Sequence, residues 1–327
     1  MLKKILRKLK FNLYKMKTNV LRLSVKKSLY HVAIVSTDKY ANKILDDVYL
    51  KRRFICNGIY CDIISWQKNI NLDKYDALIV RSIWGFCDNL TDFMSWLDAV
   101  DKKKIKIFNN TELIKNNIDK KSQFMLMDKY NIEHVETIFL DNSMYIAKDI
   151  SDILKKQYRN YDKVVIKPSI SESGHGTYLI GNDNLKNSIN INDIYDTFSG
   201  CTSSLMLQPF IDGVLDGELS VICVKGKIIS AVKRYCNVFG KKSYAIDIKV
   251  ADLEKNVIDI CEKVMSIPEY KNYMYMRIDF VKNNEKYQII EIELIDPNLF
   301  FSFIEDNINR SKTIDCLVNA VFDEIRK

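Results

Sequence analysis

Arg277, Asp279, Glu291 and Glu293 stand in two short apolar runs, 276–281 and 290–297, separated by Lys282-Asn283-Asn284-Glu285-Lys286. Apolar runs on either side of an Asn-containing turn predict a β-hairpin. Alternation along a strand puts Arg277 with Asp279 on one face, and Glu291 with Glu293 on one face of the partner. Three carboxylates and a guanidinium then project from one sheet surface amid Ile, Leu, Met and Phe. A solvated face with ordinary cross-strand charge pairs is the competing explanation.

Other stretches carry chemistry of the same kind. Val164-Val165-Ile166-Lys167-Pro168 runs into Ser169-Ile170-Ser171-Glu172-Ser173-Gly174-His175-Gly176-Thr177. A lysine ending a buried strand carries its charge out of the core toward a partner, and a Ser/Gly loop brings backbone N–H groups close to an anion. The alternative is a flexible hairpin loop with a surface lysine. Leu205-Met206-Leu207-Gln208-Pro209-Phe210-Ile211 reads as a strand ending in a hinge whose backbone suits a planar base. Glu218 opens the next strand, where it can accept from ribose hydroxyls. A core strand with an edge acid fits equally. In Ala231-Val232-Lys233-Arg234-Tyr235, alternation sends Lys233 and Arg234 to opposite faces, so one of them could point into a cleft toward phosphates, and either could instead be an ordinary surface charge.

The elements that must position these residues follow from periodicity. Strands at 31–37, 59–65, 76–82 and 104–108 alternate with helices at 40–56 and 90–100, which argues for a small open parallel sheet. No GxGxxG occurs, so dinucleotide binding is unsupported. One or two helices over 111–130 link to a strand-rich remainder: 135–140, 163–167, 177–180, 205–210, 219–224 and 227–235, with helices near 147–159, 253–265 and 301–325. Ten Gly and four Pro make their positions informative, and Pro168, Pro209 and Pro297 each end an apolar strand.

Composition narrows the class. Of 327 residues 47% are hydrophobic and 28% charged, as in a globular protein with two or three domains. The net charge of +8 is concentrated: residues 1–30 hold ten Lys or Arg and no acid, and the rest carries 40 basic against 42 acidic residues. The body is near neutral, giving no support for nucleic-acid binding. The extension places Leu2, Ile5, Leu6, Leu9, Leu13 and Met16 at helical spacing opposite lysines. It could lie on an anionic membrane surface, dock on a partner or on the body, or be disordered. Eight Cys without a CxxC pair and three His without metal-ligand spacing fit reduced thiols in a cytoplasmic protein. No apolar run reaches membrane-spanning length.

The order of these blocks is more specific than any one of them. Lys before a Ser/Gly loop, a hinge strand with a following Glu, then Arg-x-Asp and Glu-x-Glu, resembles the ATP-grasp superfamily. Val80-Arg81-Ser82-Ile83-Trp84, Phe93-x-x-Trp96-Leu97, Asn109-Asn110 and Asn117-Ile118-Asp119-Lys120 are similar to the branch holding the D-cycloserine biosynthesis ligase and glutathione-synthetase-like proteins.

The resemblance implies an α/β (α+β) fold. A basic extension (1–30) precedes an open parallel-sheet domain (31–118) and an ATP-grasp domain (119–327). The latter divides into a nucleotide lid at about 135–208 and a metal-binding part at about 209–327, with the nucleotide between them. It implies that Lys120 and Lys167 bind phosphates, with Lys121 an alternative to Lys120. Ser169, Ser171, Ser173, Gly174, His175 and Gly176 belong to a loop closing over them, His175 as a loop residue rather than a base. Gln208, Pro209, Phe210 and Ile211 would form the adenine hinge, with Glu218 on the ribose. Asp279, Glu291 and Glu293 would hold Mg²⁺, two ions or alternatively Mn²⁺. Arg277, with Lys233 or Arg234, would stabilise the transferring phosphoryl group.

Arg81, Ser82 and Trp84 are either substrate contacts or packing at the domain junction. Three departures from the family pattern are expected to be tolerated: Glu293 where many members have Asn, Arg234 in place of a lysine, and Glu172 inside the phosphate loop, turned away from the nucleotide. The implied activity is carboxylate–amine ligation through an acyl phosphate, releasing ADP and phosphate. A small-molecule kinase and a non-catalytic nucleotide-binding membrane protein are the alternatives. The implied partners are a small-molecule carboxylate and an amine, and a homodimer is an open arrangement.

Overall fold

The structure is a computed structural model that describes residues 28–141, 161, 163–172, 174, 176–181, 203–235, 244–248 and 250–327, with isolated positions 12, 16, 18 and 156. The amphipathic helix expected within 1–29 and the helix expected at 147–159 lie outside the described residues.

The chain opens with β1 (His31–Ser36), α1 (Leu45–Cys56), β2 (Tyr60–Ser65), β3 (Ala77–Val80), α2 (Leu90–Lys102) and β4 (Ile107–Phe108). All pairings are parallel, in the order β2-β1-β3-β4. Val32 to Val35 are fully buried, the signature of a strand covered on both faces. α1 starts later than the apolar pattern suggested because residues 38–43 form turns and Asp46 and Asp47 occupy its first turn, where the helix dipole favours acids.

Two capped helices follow, α3 (Thr111–Asn117) and α4 (Lys120–Lys129). Asn110 accepts from Leu113 N (2.8 Å) and Asp119 from Lys121 N (2.9 Å), so Asp119 restarts the helix where one continuous helix would have overrun.

The strand-rich remainder divides into two antiparallel sheets. β5 (Ile138–Leu140), β6 (Lys163–Pro168), β7 (Tyr178–Gly181) and β8 (Leu205–Pro209) are ordered β5-β8-β6-β7. β9 (Glu218–Val224), β10 (Lys227–Tyr235), β11 (Tyr244–Ile248), β12 (Tyr275–Asn283) and β13 (Lys286–Glu293) are ordered β11-β10-β9-β12-β13. α5 (Lys255–Met265) packs Val257, Ile260, Cys261 and Val264 against Val221, Ile278 and Ile292 of this larger sheet. α6 (Asn307–Ile325) packs Ile314, Leu317 and Val321 into a core shared by Val32 and Phe54 of the first domain and by Ile222 and Tyr275 of the larger sheet. It begins at Asn307 rather than 301 because Asp306 caps it, accepting from Asn309 N at 2.7 Å. No helix among the described residues is long and apolar enough to cross a membrane. The six described cysteines are free thiols.

Candidate active site

β12 and β13 form a hairpin in which Arg277 is opposite Glu293 and Asp279 opposite Glu291. A register shift follows, since Phe280 pairs with Ile289. That bulge lets both Ile289 and Ile292, three residues apart, enter the core while Glu291 and Glu293 keep their place beside Asp279 and Arg277. The face of three carboxylates and a guanidinium expected from simple alternation therefore exists, and a bulge sustains it.

The acids on this face differ sharply in environment. Asp279 is fully buried. It accepts from Ser220 Oγ (2.6 Å), from Arg277 Nε (2.9 Å to Oδ1) and from Arg277 Nη2 (2.9 Å to Oδ2), and pairs with Arg234 Nη2 at 2.8 Å. Burial works against its ionisation, but the Arg234 and Arg277 charges outweigh burial and hold its carboxyl below the usual range. Arg234 Nη2 also meets Glu218 Oε2 at 2.7 Å. Burial opposes the charge on Arg277, yet Asp279, Glu293 and Glu291 more than compensate and raise its pKa. For Glu291, burial raises the pKa, but Lys120 at 3.3 Å together with Lys167 and Arg277 outweighs it and the pKa falls. Glu293 moves the other way, raised by burial and by its Glu291 neighbour, while its Oε1 accepts from Ile295 N at 2.8 Å. Arg234 is thus the member of the 233/234 pair that enters the site. Lys233 lies beside Gly217, where a Cβ would come within 3.1 Å of its side chain, and its Nζ sits 5.9 Å from the Tyr235 ring centroid.

Two lysines face these acids. Lys120, at the start of α4, reaches Ser171 O (2.5 Å) as well as Glu291, whereas Lys121 turns outward to Asp141 (2.6 Å). Lys167, at the end of β6, has its pKa lowered by burial, and the charges acting on it are Glu291, Lys120 and Glu218.

The Ser/Gly loop leaves β6 with Ser169 fully buried and its N–H donated to Ser204 O at 2.8 Å. Gly174 and Gly176 have positive φ, and a Cβ on Gly176 would come within 3.1 Å of Pro168 Cδ, so a side chain there would be strained and crowded. Ser173 and His175 lie outside the described residues. Glu172 points away from the acidic hairpin toward Gly85 N, at 2.7 Å. On β8, Gln208 is buried and donates to Thr137 Oγ1 (2.9 Å), which leaves the backbone of Pro209, Phe210 and Ile211 as the edge next to Lys163, whose carbonyl accepts from Phe210 N at 2.9 Å.

The hairpin is held by residues that strand patterning does not reveal. β13 is an edge strand of its sheet, so half its backbone groups need partners from elsewhere. Asn117 donates to Ile292 O (2.9 Å) and accepts from Leu294 N (2.8 Å), and Gln123 accepts from Ile292 N (3.0 Å). Fully buried Asn109 donates to Leu294 O (2.6 Å) and Tyr275 O (2.8 Å) and accepts from Met274 N (2.6 Å). Side-chain amides carry both donor and acceptor, which is what a bare strand edge requires. Ser220, two residues on from Glu218 along one strand, shares its face by alternation, a signal the sequence reading did not use; Gln123 carries no comparable signal.

Arg81, Ser82 and Trp84 sit at the junction. Arg81 donates to Pro297 O (2.6 Å), lies 3.7 Å from Asp47 and stacks over Tyr275. Ser82 Oγ donates to Asp47, and Trp84 meets Tyr40 edge-on. Of the three, Arg81 reaches across to the later domain, whereas Ser82 and Trp84 contact residues of the first domain.

Among the described residues no three His, Cys, Asp or Glu side chains converge on one point at ligand distance. Mg²⁺ does not require such a cage, since one or two carboxylates with phosphate oxygens and water suffice. Glu291 and Glu293 meet that description. Asp279 is already saturated by two arginines and a serine.

Two family models match this chain. D-cycloserine synthetase DcsG, N-terminal domain, covers residues 32–109, and Prokaryotic glutathione synthetase, ATP-grasp domain, covers residues 132–307. The chain belongs to the ATP-grasp family. As an ATP-grasp ligase it forms carbon–nitrogen bonds in a reaction driven by ATP.

Solved structures show the same fold at low identity. D-cycloserine synthetase DcsG superposes with a TM-score of 0.77 at 15% identity, covering 90% of this chain and 99% of that one. D-alanine–D-alanine ligase from Bacillus anthracis, complexed with ATP, gives 0.65 at 13% identity over 91% and 99%. The ATP-grasp ligase PsnB, complexed with a phosphomimetic variant of its minimal precursor, Mg and ADP, gives 0.60 at 13% over 88% and 98%. No curated protein sequence matches this chain.

Proposed function

We propose that this ATP-grasp ligase activates a substrate carboxylate as an acyl phosphate, which an amine then attacks to give an amide, ADP and phosphate. The observation that carries this reading is one buried surface on which Arg277, Arg234, Lys120 and Lys167 face Asp279, Glu291 and Glu293 beneath a Ser/Gly loop. Phosphoryl transfer needs charge neutralisation and positioning more than it needs a nucleophile from the protein, and this surface offers both.

Lys120 and Lys167 bind the nucleotide phosphates, and backbone N–H groups of the 169–177 loop cover them. The backbone at 209–211 receives the adenine, and Glu218 the ribose. Glu291 and Glu293 are the principal Mg²⁺ donors, supplemented by Asp279 when a guanidinium yields its place; bound Mg²⁺ would shield the phosphate charge. Asp279 fixes the planes of Arg277 and Arg234, and these turn their remaining N–H groups to the transferring phosphoryl oxygens. A guanidinium pinned by a buried carboxylate is pre-organised for that task.

The acceptor enters at the carboxyl ends of β1 and β3, the usual ligand edge of an open parallel sheet. Relatives named for D-cycloserine, D-alanyl-D-alanine and a precursor peptide make amino-acid-derived and peptide carboxylates the first class to try. The test is ADP release with MgATP across a crossed panel of amino acids, sugar acids and amines, with hydroxylamine as a trap for the acyl phosphate. Stimulation by a carboxylate, and hydroxamate formation when the amine is withheld, are expected. A phosphorylated hydroxyl as the product would make the protein a kinase, and ADP release unaffected by any pair would remove the ligase mechanism proposed here.

A further inference from the structure

Glu172 is an acid inside a loop that would cover phosphates, and the nucleotide chemistry leaves it unexplained. Its Oε1 accepts from Gly85 N at 2.7 Å and, more weakly, from Cys87 N at 3.4 Å. Both donors belong to the turn that follows β3, where Gly85 adopts φ +97°. The same turn donates Ile83 N to Asp296 Oδ2 at 3.0 Å, just beyond the end of β13. Three amides of one short turn are therefore held by two carboxylates, one from the loop after β6 and one from the segment after β13.

A second, apolar contact accompanies the first. Ile170, two residues before Glu172, packs against the first-domain core that contains Ile83, Phe86 and Phe93. The near half of the loop is also tied to α4, through Lys120 N to Ser169 O (3.0 Å) and Lys120 Nζ to Ser171 O (2.5 Å). The charge of Glu172 is felt across the junction: after burial, it is the largest influence raising Cys87 to about 12, and with Glu293 it raises Asp296. Charge-assisted bonds to backbone N–H groups are stronger than neutral ones, so a carboxylate is the apt side chain to fasten this loop without aiming its charge at a phosphate.

We infer that Glu172 is a positioning residue that latches the phosphate-covering loop to the 83–87 turn, so that the nucleotide loop and the acceptor end of the first domain order as one unit. This rests on the nucleotide role proposed above for the loop. Occupying either side then favours the other, because a ligand that orders the turn presents its amides to Glu172, and a nucleotide that orders the loop presents Glu172 to the amides.

The test uses the full-length protein, a non-hydrolysable ATP analogue with Mg²⁺, and amide hydrogen exchange over residues 83–90. In the wild-type protein the analogue should increase protection of the 83–87 amides. Glu172→Ala should weaken analogue binding about tenfold and abolish that increase. Glu172→Gln, which keeps an acceptor oxygen, should restore both to within about threefold. Glu172→Asp, one methylene short of Gly85 N, should behave as Ala does and serves if the Ala variant folds poorly. In turnover the loss should fall on the KM for ATP rather than on kcat. Equal analogue affinity in wild type and Glu172→Ala, or equal protection of 83–87 in both, would overturn the latch while leaving the ligase reading intact. Absence of analogue binding by the wild-type protein would remove the loop's nucleotide role and the latch with it.

Discussion

Two groups of buried acids lie within this molecule, and they are treated in opposite ways. On the β12–β13 hairpin, Asp279 and Glu291 are met by Arg277, Arg234 and Lys120 and their pKa values fall despite burial, while Glu293, buried beside Glu291, rises. At the junction, Asp46, Asp47 and Asp296 mostly cap backbone N–H groups: Asp46 those of Phe301 (2.9 Å) and Ser302 (2.8 Å), and Asp296 that of Ile83. Arg81 is the cation facing this second group, and burial dominates there, raising Asp46 and Asp296 and bringing Asp47 up to about 6. Paired cations offset burial and favour the ionised carboxylate at Asp279 and Glu291, whereas backbone caps hold domains together while burial still raises the acids.

The comparison is broken most severely at Arg277. Arg277→Leu leaves Asp279 with one guanidinium and removes the donor proposed for the transferring group. We expect kcat to fall about 100- to 1000-fold, and stability to fall by about 3–5 kcal/mol as a buried pair is opened, read by steady-state kinetics and urea unfolding. Next comes the contrast between neighbours. Arg234→Met should lower kcat about 100-fold, while Lys233→Met, on the opposite face, should change neither activity nor stability beyond about 0.5 kcal/mol. Equal losses in the two variants would show that face assignment does not govern function.

The edge clamp sharpens the account from behind. Gln123→Ala strands Ile292 N between Glu291 and Glu293, and should cost about 1–3 kcal/mol. It should also raise the Mg²⁺ concentration needed for half-maximal activity, although Gln123 itself touches neither acid. A loss of stability with an unchanged Mg²⁺ requirement would reduce the clamp to packing.

The smallest effect concerns the junction. A carboxyl whose folded pKa lies above its unfolded value binds more protons when folded, so its contribution to stability declines as pH rises from about 4 to about 6. Asp279 and Glu291 act in the opposite sense, losing their contribution as pH falls from the unfolded carboxylate range through their lowered folded values. Asp47→Asn should therefore flatten the change in melting temperature between pH 4 and pH 6 without affecting the decline at lower pH.

Much of this arrangement is legible in the amino-acid sequence. Alternation alone paired Arg277 with Asp279 and separated Lys233 from Arg234, because strand faces have a period of two residues. It failed at Ile289 and Ile292, where a bulge restores both to the core, since a bulge leaves no mark on composition. The destination of Glu172 was half legible: repulsion from phosphate argues that it turns away, but its anchor on Gly85 and Cys87 depends on tertiary packing. Asn117 and Gln123 were hardest to foresee, because polar residues on a short helix look like solvated surface until an edge strand needs partners. Arg81 was ambiguous for a related reason, as a buried guanidinium serves a carbonyl of the chain as readily as a ligand's carboxylate.

The central claim is that Glu291 and Glu293 bring Mg²⁺ and nucleotide phosphates onto the hairpin face. Its most direct test is calorimetric binding of a non-hydrolysable ATP analogue, titrated against Mg²⁺, in the wild-type protein and in Glu291→Gln. The account predicts Mg²⁺-dependent binding in the wild type and a Mg²⁺ requirement raised about tenfold or more in the variant, equivalent to about 1.4 kcal/mol. Analogue affinity independent of Mg²⁺, or identical Mg²⁺ curves for the two proteins, would contradict it.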